Sequence, residues 1–213
     1  MTRILHVLDH SLPLHSGYTF RTRAILRAQT AKGWDVRGIT GHRHEAAGPL
    51  EEVVDGLLFH RTPGDAATGN ALLREWRDIS AHADAIDALV KTWRPDIIHA
   101  HSPVLNAMAA QRVAGRHGIP LLYEIRAFWE DAAVGNGTGT EGSPRYWLTR
   151  QLETHAVRTA DAVAVICEGL RGDLIARGVD GGKIMVSPNG VDMDQFGAPV
   201  PRDPALTARL GLE

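Results

Sequence analysis

Chemistry in this chain concentrates in a few short stretches. In RPDIIHAHSP, His99 and His101 stand two apart, so on a strand both rings start from one face. Such a pair suits a metal or a mutual hydrogen-bond network. A zinc site would need a third ligand, often a cysteine, and the single Cys167 belongs to a different loop. No metal is therefore expected, and hydrogen bonding at the rim of a sugar or phosphate pocket is the better reading. YEIRAFWED is denser: Glu124 and Arg126 alternate with Tyr123 and Ile125 where a central strand should be apolar throughout. Buried charge is costly unless paired. The two residues either hold each other and neighbouring loops, or they face a polar ligand beside Phe128, Trp129, Glu130 and Asp131. Arginine's rigid donor fork and the ring faces suit a hydroxylated substrate, and Glu130 or Asp131 is a candidate base for an acceptor hydroxyl.

LDHSLPLHSGYTFR, running from Leu8 to Arg21, has one glycine, Gly17, where dinucleotide sites carry three. Gly17 either lets a substrate oxygen approach the backbone amides or is an ordinary turn glycine. His10 and His15 flank it, either as binding or proton-relay groups or as solvated loop residues. The glycine-rich run from Gly135 to Gly142 reads as a lid over the pocket or as a mobile surface loop. Arg145, Tyr146, Trp147 and Arg150 follow, a mixture that suits an anionic or lipid-linked substrate or simply a solvated helix face.

A scaffold for these residues is legible in the periodicity. Arg3 to Leu8 is an apolar strand, Phe20, Ala24, Ala28 and Ala31 mark a helix face ending at Lys32-Gly33, and Asp35 to Thr40 is a second strand. That order is a parallel βαβ unit. Glu51 to Arg61 reads as a strand pair turning at Asp55-Gly56, and a long helix starts near Ala71 with Trp76, Ile79, Ala83, Ile86 and Val90 on one face. Strands at Ile97-Ile98, PLLYEI, Asp161 to Cys167 and Lys183 to Val186 alternate with helices at Val104 to Arg116, Arg145 to Thr159 and Leu170 to Arg177. The expected fold is α/β: a Rossmann-like open, mostly parallel sheet with helices on both faces. In such sheets ligands bind beyond the carboxyl ends of the strands. That rule selects His10 to Gly17, His101 to Pro103, Arg126 to Glu130 and Cys167 to Gly169.

Composition narrows the classes. The chain has 213 residues with 23 Lys plus Arg against 25 Asp plus Glu, a net charge of -2 that gives no reason to expect nucleic acid as a partner. One cysteine excludes an internal disulfide framework. His6, Asp9 and His10 interrupt the first apolar run, which makes it a poor signal peptide and a good strand. A cytoplasmic protein is expected, with peripheral contact at the inner face of the plasma membrane left open.

The ordered set ILHVLDHSLPLHSGYTFRTRAILRAQTAKGWDV, PDIIHAHSP, PLLYEIRAFWEDAAV, ADAVAVICEGLRGDLIARGV and KIMVSPNGVDMDQF resembles the amino-terminal half of retaining glycosyltransferases of family 4. It is most similar to a bacterial subgroup associated with exopolysaccharide synthesis. The resemblance implies one half of a two-domain GT-B enzyme: residues 1–187 as the acceptor-side domain, and 188–213 as hinge and linker toward an absent nucleotide-sugar domain. The hinge element matches Pro188 to Asp192. The resemblance further implies sugar transfer from a nucleotide diphosphate sugar to a hydroxyl acceptor, saccharide or lipid-linked, with retention and without a metal. Ser16, Gly17 and Glu168 would approach the donor phosphates. Arg126, Glu130 and His101 would be catalytic, with His10, His15, His99, Glu124 and Trp129 on the acceptor side. Many members carry histidine six residues after the proline opening the PLLY-type strand, where this chain has Arg126. Two other readings stand beside this one: a non-catalytic ligand- or protein-binding module, and a nucleotide-sugar epimerase of the same architecture.

Overall fold

The computed structural model describes residues 1–66, 68–191, 193, 197 and 201–211. The elements run β1 (Arg3–Leu8), α1 (Gly17–Ala31), β2 (Asp35–Thr40), β3 (Glu51–Val54), β4 (Leu57–Arg61), α2 (Ala71–Thr92), β5 (Ile97–His101) and α3 (Val104–His117). They continue with β6 (Leu121–Ile125), α4 (Trp129–Gly135), α5 (Pro144–Thr159), β7 (Ala162–Val165), α6 (Glu168–Ala176), β8 (Ile184–Val186) and a short α7 (Pro204–Arg209). The strands form one sheet in the order β3-β4-β2-β1-β5-β6-β7-β8. Every pairing is parallel except β3 with β4. That hairpin turns where expected, with Asp55 and Gly56 both at positive φ (57° and 74°), the conformation a two-residue turn of matching twist requires. The architecture is the expected Rossmann-like α/β sheet with helices on both faces.

The two faces differ in chemistry. Leu5, Val7, Ile98, Ala100, Tyr123, Ile125, Val163 and Val165 alternate onto one face and join Ile86, Val113, Val157 and Leu174 from α2, α3, α5 and α6 in a single apolar cluster. On the other face a smaller cluster gathers Leu8, Val36, Leu57 and Phe59 under Leu26 of α1. Beside it, the registers His6↔His99 and His101↔Glu124 set polar residues side by side on the three central strands.

That polar layer explains a difference from the sequence reading. The face α1 turns to the sheet is Thr19, Thr22 and Leu26, while Phe20 is 48 % exposed. Hydroxyl groups are buried there because they meet polar partners, and the apolar spacing of Phe20, Ala24 and Ala28 misleads. Trp76 likewise points outward, although Ile79, Ala83, Ile86 and Val90 of α2 are buried as expected. The segment after β6 also differs, because Trp129–Gly135 is helical where a loop is expected. Glu130 and Asp131 in its first turn complement the helix dipole. The glycine-rich run folds back on it, with the amides of Thr138 and Gly139 both donating to Ala133 O at 2.9 Å. Of the expected hinge and linker, Asp192 and residues 194–196, 198–200 and 212–213 lie outside the described residues.

On the apolar face, one acidic group is sealed in. The Tyr123 hydroxyl donates to Glu153 Oε1 at 2.7 Å, and Glu153 is fully buried. Burial pushes its pKa from 4.5 up to about 8, against the Tyr123 hydrogen bond and with help from the charge of Glu130. Between those values the folded protein holds a proton that the unfolded chain has released. This contribution to stability is therefore complete below about pH 4.5 and is lost as pH rises toward 8, at up to about 1.4 kcal/mol per pH unit. Glu153→Gln keeps an acceptor for Tyr123 and removes the titration. Urea midpoints measured across that pH range should fall with pH in the parent and fall less steeply in the variant.

Candidate functional site

The loop between β1 and α1 is built around its own side chains. Asp9 Oδ2 lies 3.0 Å from His10 Nδ1, and His10 Nε2 lies 2.6 Å from Ser16 Oγ. With the carboxylate accepting from Nδ1–H, the second ring nitrogen is left to accept from the serine hydroxyl. Ser16 also caps α1, its Oγ accepting the amide of Thr19 at 3.1 Å. A Cβ placed on Gly17 would meet nothing within 4 Å, so the start of the helix is open. From β4, Arg61 reaches across to hold this loop, donating to Ser11 Oγ at 2.6 Å and Leu12 O at 2.8 Å.

Behind the loop lies the polar layer. Glu124 Oε1 accepts from Arg21 Nε at 2.9 Å and Arg126 Nε at 3.0 Å. Its Oε2 sits 3.1 Å from His99 Nε2 and 3.5 Å from His101 Nδ1. Burial alone would raise the pKa of this carboxyl, but the hydrogen bond from His99 and the charge of the Arg126 guanidinium outweigh burial and hold it well below the usual carboxylate range. Arg126 also donates to Tyr18 O (3.0 Å), Thr22 Oγ1 (3.1 Å) and His101 Nδ1 (2.8 Å), and its guanidinium lies 5.0 Å from the Tyr18 ring centre. Through these bonds the end of β6 grips the first turn of α1. Arg21 extends the layer outward, donating to Ser187 O, Pro188 O and Asn189 Oδ1.

His6 supplies the third imidazole that the His99–His101 pair lacked in sequence. Side-chain nitrogens of His6, His99 and His101 all lie within 4.8 Å of one another. His6 Nδ1 is 2.8 Å from His101 Nε2, and His6 Nε2 is 2.8 Å from Gln29 Oε1.

The remaining expected residues lie elsewhere. Glu130 is buried and paired with Arg177 at 2.8 Å, and that guanidinium stacks 3.9 Å over Phe128. It is therefore not gathered with Arg126 and His101. Trp129 and Glu130 instead line a shallow open cavity with Gly139, Thr140, Arg145 and Tyr146. Arg43 covers the Trp129 ring at 5.0 Å. His15 is exposed beside Phe20, their rings 5.3 Å apart. Glu168 opens α6 in solvent, 3.5 Å from Arg171. His6, Arg21, Gln29 and Arg61 were missed. His6 carried a signal, a polar residue inside an apolar strand; the other three sit on amphipathic elements where polar residues are ordinary.

A mostly parallel sheet with His101, Glu124, Arg126 and the Asp9–Ser16 loop at the carboxyl ends of β1, β5 and β6 has the fold of a Rossmann-like half of a GT-B-type protein. Residues 16–190 match the model of the glycosyl transferase 4-like domain, and the chain belongs to that family. Among curated proteins it is similar to the D-inositol 3-phosphate glycosyltransferase of Xylanimonas cellulosilytica, 29% identical over 196 residues. That match takes in 87% of the chain but 46% of the relative, so the chain spans about half the relative's length. In fold it is similar to sucrose-phosphate synthase from Thermosynechococcus elongatus, with a TM-score of 0.75, 17% identity, and coverage of 100% of this chain and 53% of the other. It is also similar to UDP-N-acetylglucosamine 2-epimerase from Rickettsia bellii, with a TM-score of 0.60, 13% identity, and coverage of 100% and 52%.

Removing one member of the Arg21–Glu124–Arg126 group leaves buried charge poorly compensated. Arg126→Ala should lower the unfolding free energy by about 3–5 kcal/mol in urea titrations. Arg126→Lys should recover only part of this, because one ammonium cannot serve Glu124, Tyr18, Thr22 and His101 together.

Proposed function

We propose that this chain is the acceptor-side wall of a retaining glycosyltransferase that moves a sugar from a nucleotide diphosphate sugar to a hydroxyl of a saccharide or lipid-linked saccharide. The observation that carries this reading is the Asp9–His10–Ser16 chain at the open start of α1. Family membership and the half-length match to a glycosyltransferase support it. The donor would be held mainly by a second domain facing this edge.

The geometry suggests a division of labour. The amides at Ser16 and Gly17, at the positive end of a 15-residue helix, suit a diphosphate oxygen. Asp9 orients His10 so that Nε2 points toward Ser16, and an acceptor hydroxyl replacing the serine contact would donate to the same nitrogen. Arg126, which is 9 % exposed, works from behind by holding the first turn of α1. Glu124, His99 and His101 complete that support. The cavity beside Trp129, Arg145 and Tyr146 suits the remainder of the acceptor, with rings for sugar faces and a cation for an anionic group. Glu130 lines it from within its pair with Arg177. Sugar transfer of this kind belongs at the cytoplasmic side of polysaccharide or glycolipid synthesis, with peripheral membrane contact through a lipid-linked acceptor.

A second reading is favoured by one observation, the fold likeness to a UDP-N-acetylglucosamine 2-epimerase. An epimerase needs no acceptor and inverts one carbon of the donor sugar. The two are separated by incubating the protein, in the longest form its gene encodes, with UDP-, GDP- and dTDP-sugars, with and without hydroxyl acceptors. Mass spectrometry and NMR of the products should show nucleotide release coupled to a new glycoside. Conversion to a donor epimer without acceptor would establish the second reading, and absence of nucleotide-sugar binding would defeat both. In the same assay His10→Ala should lower turnover roughly 10²–10³-fold, with a melting temperature within about 2 °C of the parent.

A further inference from the structure

Arginine can only donate hydrogen bonds, and this dictates every proton in the row of side chains behind it. Arg126 Nη2 lies 2.8 Å from His101 Nδ1, so that nitrogen is unprotonated and accepts. The neutral ring then carries its proton on Nε2, which faces His6 Nδ1 at 2.8 Å. His6 Nδ1 must accept, so its own proton is on Nε2, and that atom meets Gln29 Oε1 at 2.8 Å. One assignment satisfies all four residues, and it orients the Gln29 amide without reference to electron counts of oxygen and nitrogen. We propose that Gln29 and His6 are positioning residues that lock His101 as a neutral Nε2–H tautomer, so that it always presents a lone pair to Arg126.

The surroundings support the lock. The charged and titratable groups facing His101 are His6 from β1, His99 on its own strand, Glu124 and Arg126 from β6, and, through Glu124, Arg21 from α1. A second proton on His101 would set N–H against N–H at Arg126. Burial, with nearby positive charge, drives the His101 pKa well below 6.5, and burial with His99 brings that of His6 to about 3. The same chain disfavours a metal on the three histidines. A divalent ion would have to break both imidazole hydrogen bonds and sit beside Arg126, with Arg21 across Glu124. The lock keeps Arg126 on Tyr18 O, and hence the first turn of α1 in place, across the physiological pH range. Its value for sugar transfer rests on the reading above; the tautomer itself does not.

Long-range ¹H–¹⁵N spectra of the ¹⁵N-labelled chain test it directly. His6 and His101 should both show the Nε2–H tautomer, unchanged from about pH 5.5 to 8, a window across which a free imidazole titrates. A protonated ring or an Nδ1–H tautomer at either residue in that window would overturn the proposal, as would stoichiometric zinc retained after purification. Two substitutions test direction. Gln29→Glu still accepts from His6 and should leave both tautomers in place. Gln29→Lys can only donate and should abolish the Nε2–H signature of His6; identical spectra for the two variants would also refute it. In the transferase assay Gln29→Glu should stay within about threefold of the parent and Gln29→Lys should lose tenfold or more, a loss of at least about 1.4 kcal/mol of transition-state stabilisation relative to the parent. Intact tautomers without sugar transfer would refute the functional reading and leave the lock standing.

Discussion

A carboxylate buried in the middle of a parallel sheet sets the terms for everything around it. Glu124 is 2 % exposed, and its Oε1 is shared by two guanidiniums that come from different elements. Arg21 divides its donors between this carboxylate and the 187–189 segment, so it compensates the charge only in part, and the two arginines together fix its direction as well. Arg126 arrives from the end of the same strand and Arg21 from α1, so the ion group ties helix to sheet where an apolar stripe would ordinarily do so. The helix can then place Thr22 against the sheet with its hydroxyl accepting from Arg126, while Thr19 finds Ser16 Oγ. Buried ion groups are weak sources of net stability but strict about geometry. Here the strictness is transmitted to the residues at the mouth of α1.

The two faces of the sheet divide stability from positioning. Leu5, Val7, Ile98, Tyr123 and Ile125 pack into the large cluster under α2, α3 and α5, and that burial supplies most of the driving force for folding. The opposite face can therefore carry His6, His99, His101 and Glu124, which contribute little hydrophobic energy. Alternation along a strand makes the division possible, since one-residue spacing separates Tyr123 from Glu124 and Ala100 from His101. A one-residue slip in β5 or β6 would exchange the faces, so the apolar cluster also guards the register of the polar layer.

This division explains what was readable in sequence. The order of strands and helices follows from apolar runs and breaks, and the structure reproduces it from β1 through β8 apart from the unexpected helix α4. His99, His101, Glu124 and Arg126 announced themselves by spacing within single strands, and all four meet. The links between elements were silent. Gln29 is an unremarkable helix residue until parallel pairing brings β1 beneath it, and His6 becomes a neighbour of His101 only through a contact 95 residues apart. Glu130 shows the reverse: its place in a dense motif suggested chemistry with Arg126, but α4 turns it toward Arg177, a partner 47 residues away. Local pattern identifies which residues are anomalous, and only the sheet decides which anomalies share a site.

The two arginines also differ in what they would lose if the chain after β8 moved. All of Arg126's partners, Tyr18, Thr22, His101 and Glu124, lie within the sheet and its first helix. Arg21 directs Nε inward to Glu124 and both Nη groups outward to Ser187, Pro188 and Asn189. A shift of the 187–189 segment would break the outward bonds at groups close to solvent, which water can replace at small cost. The inward bond, made through a different nitrogen, would survive. The carboxylate would keep both cations, and Arg126 would keep its hold on α1. The 187–189 segment is thus fastened to α1 and Glu124 through a residue whose release leaves the buried charge balanced.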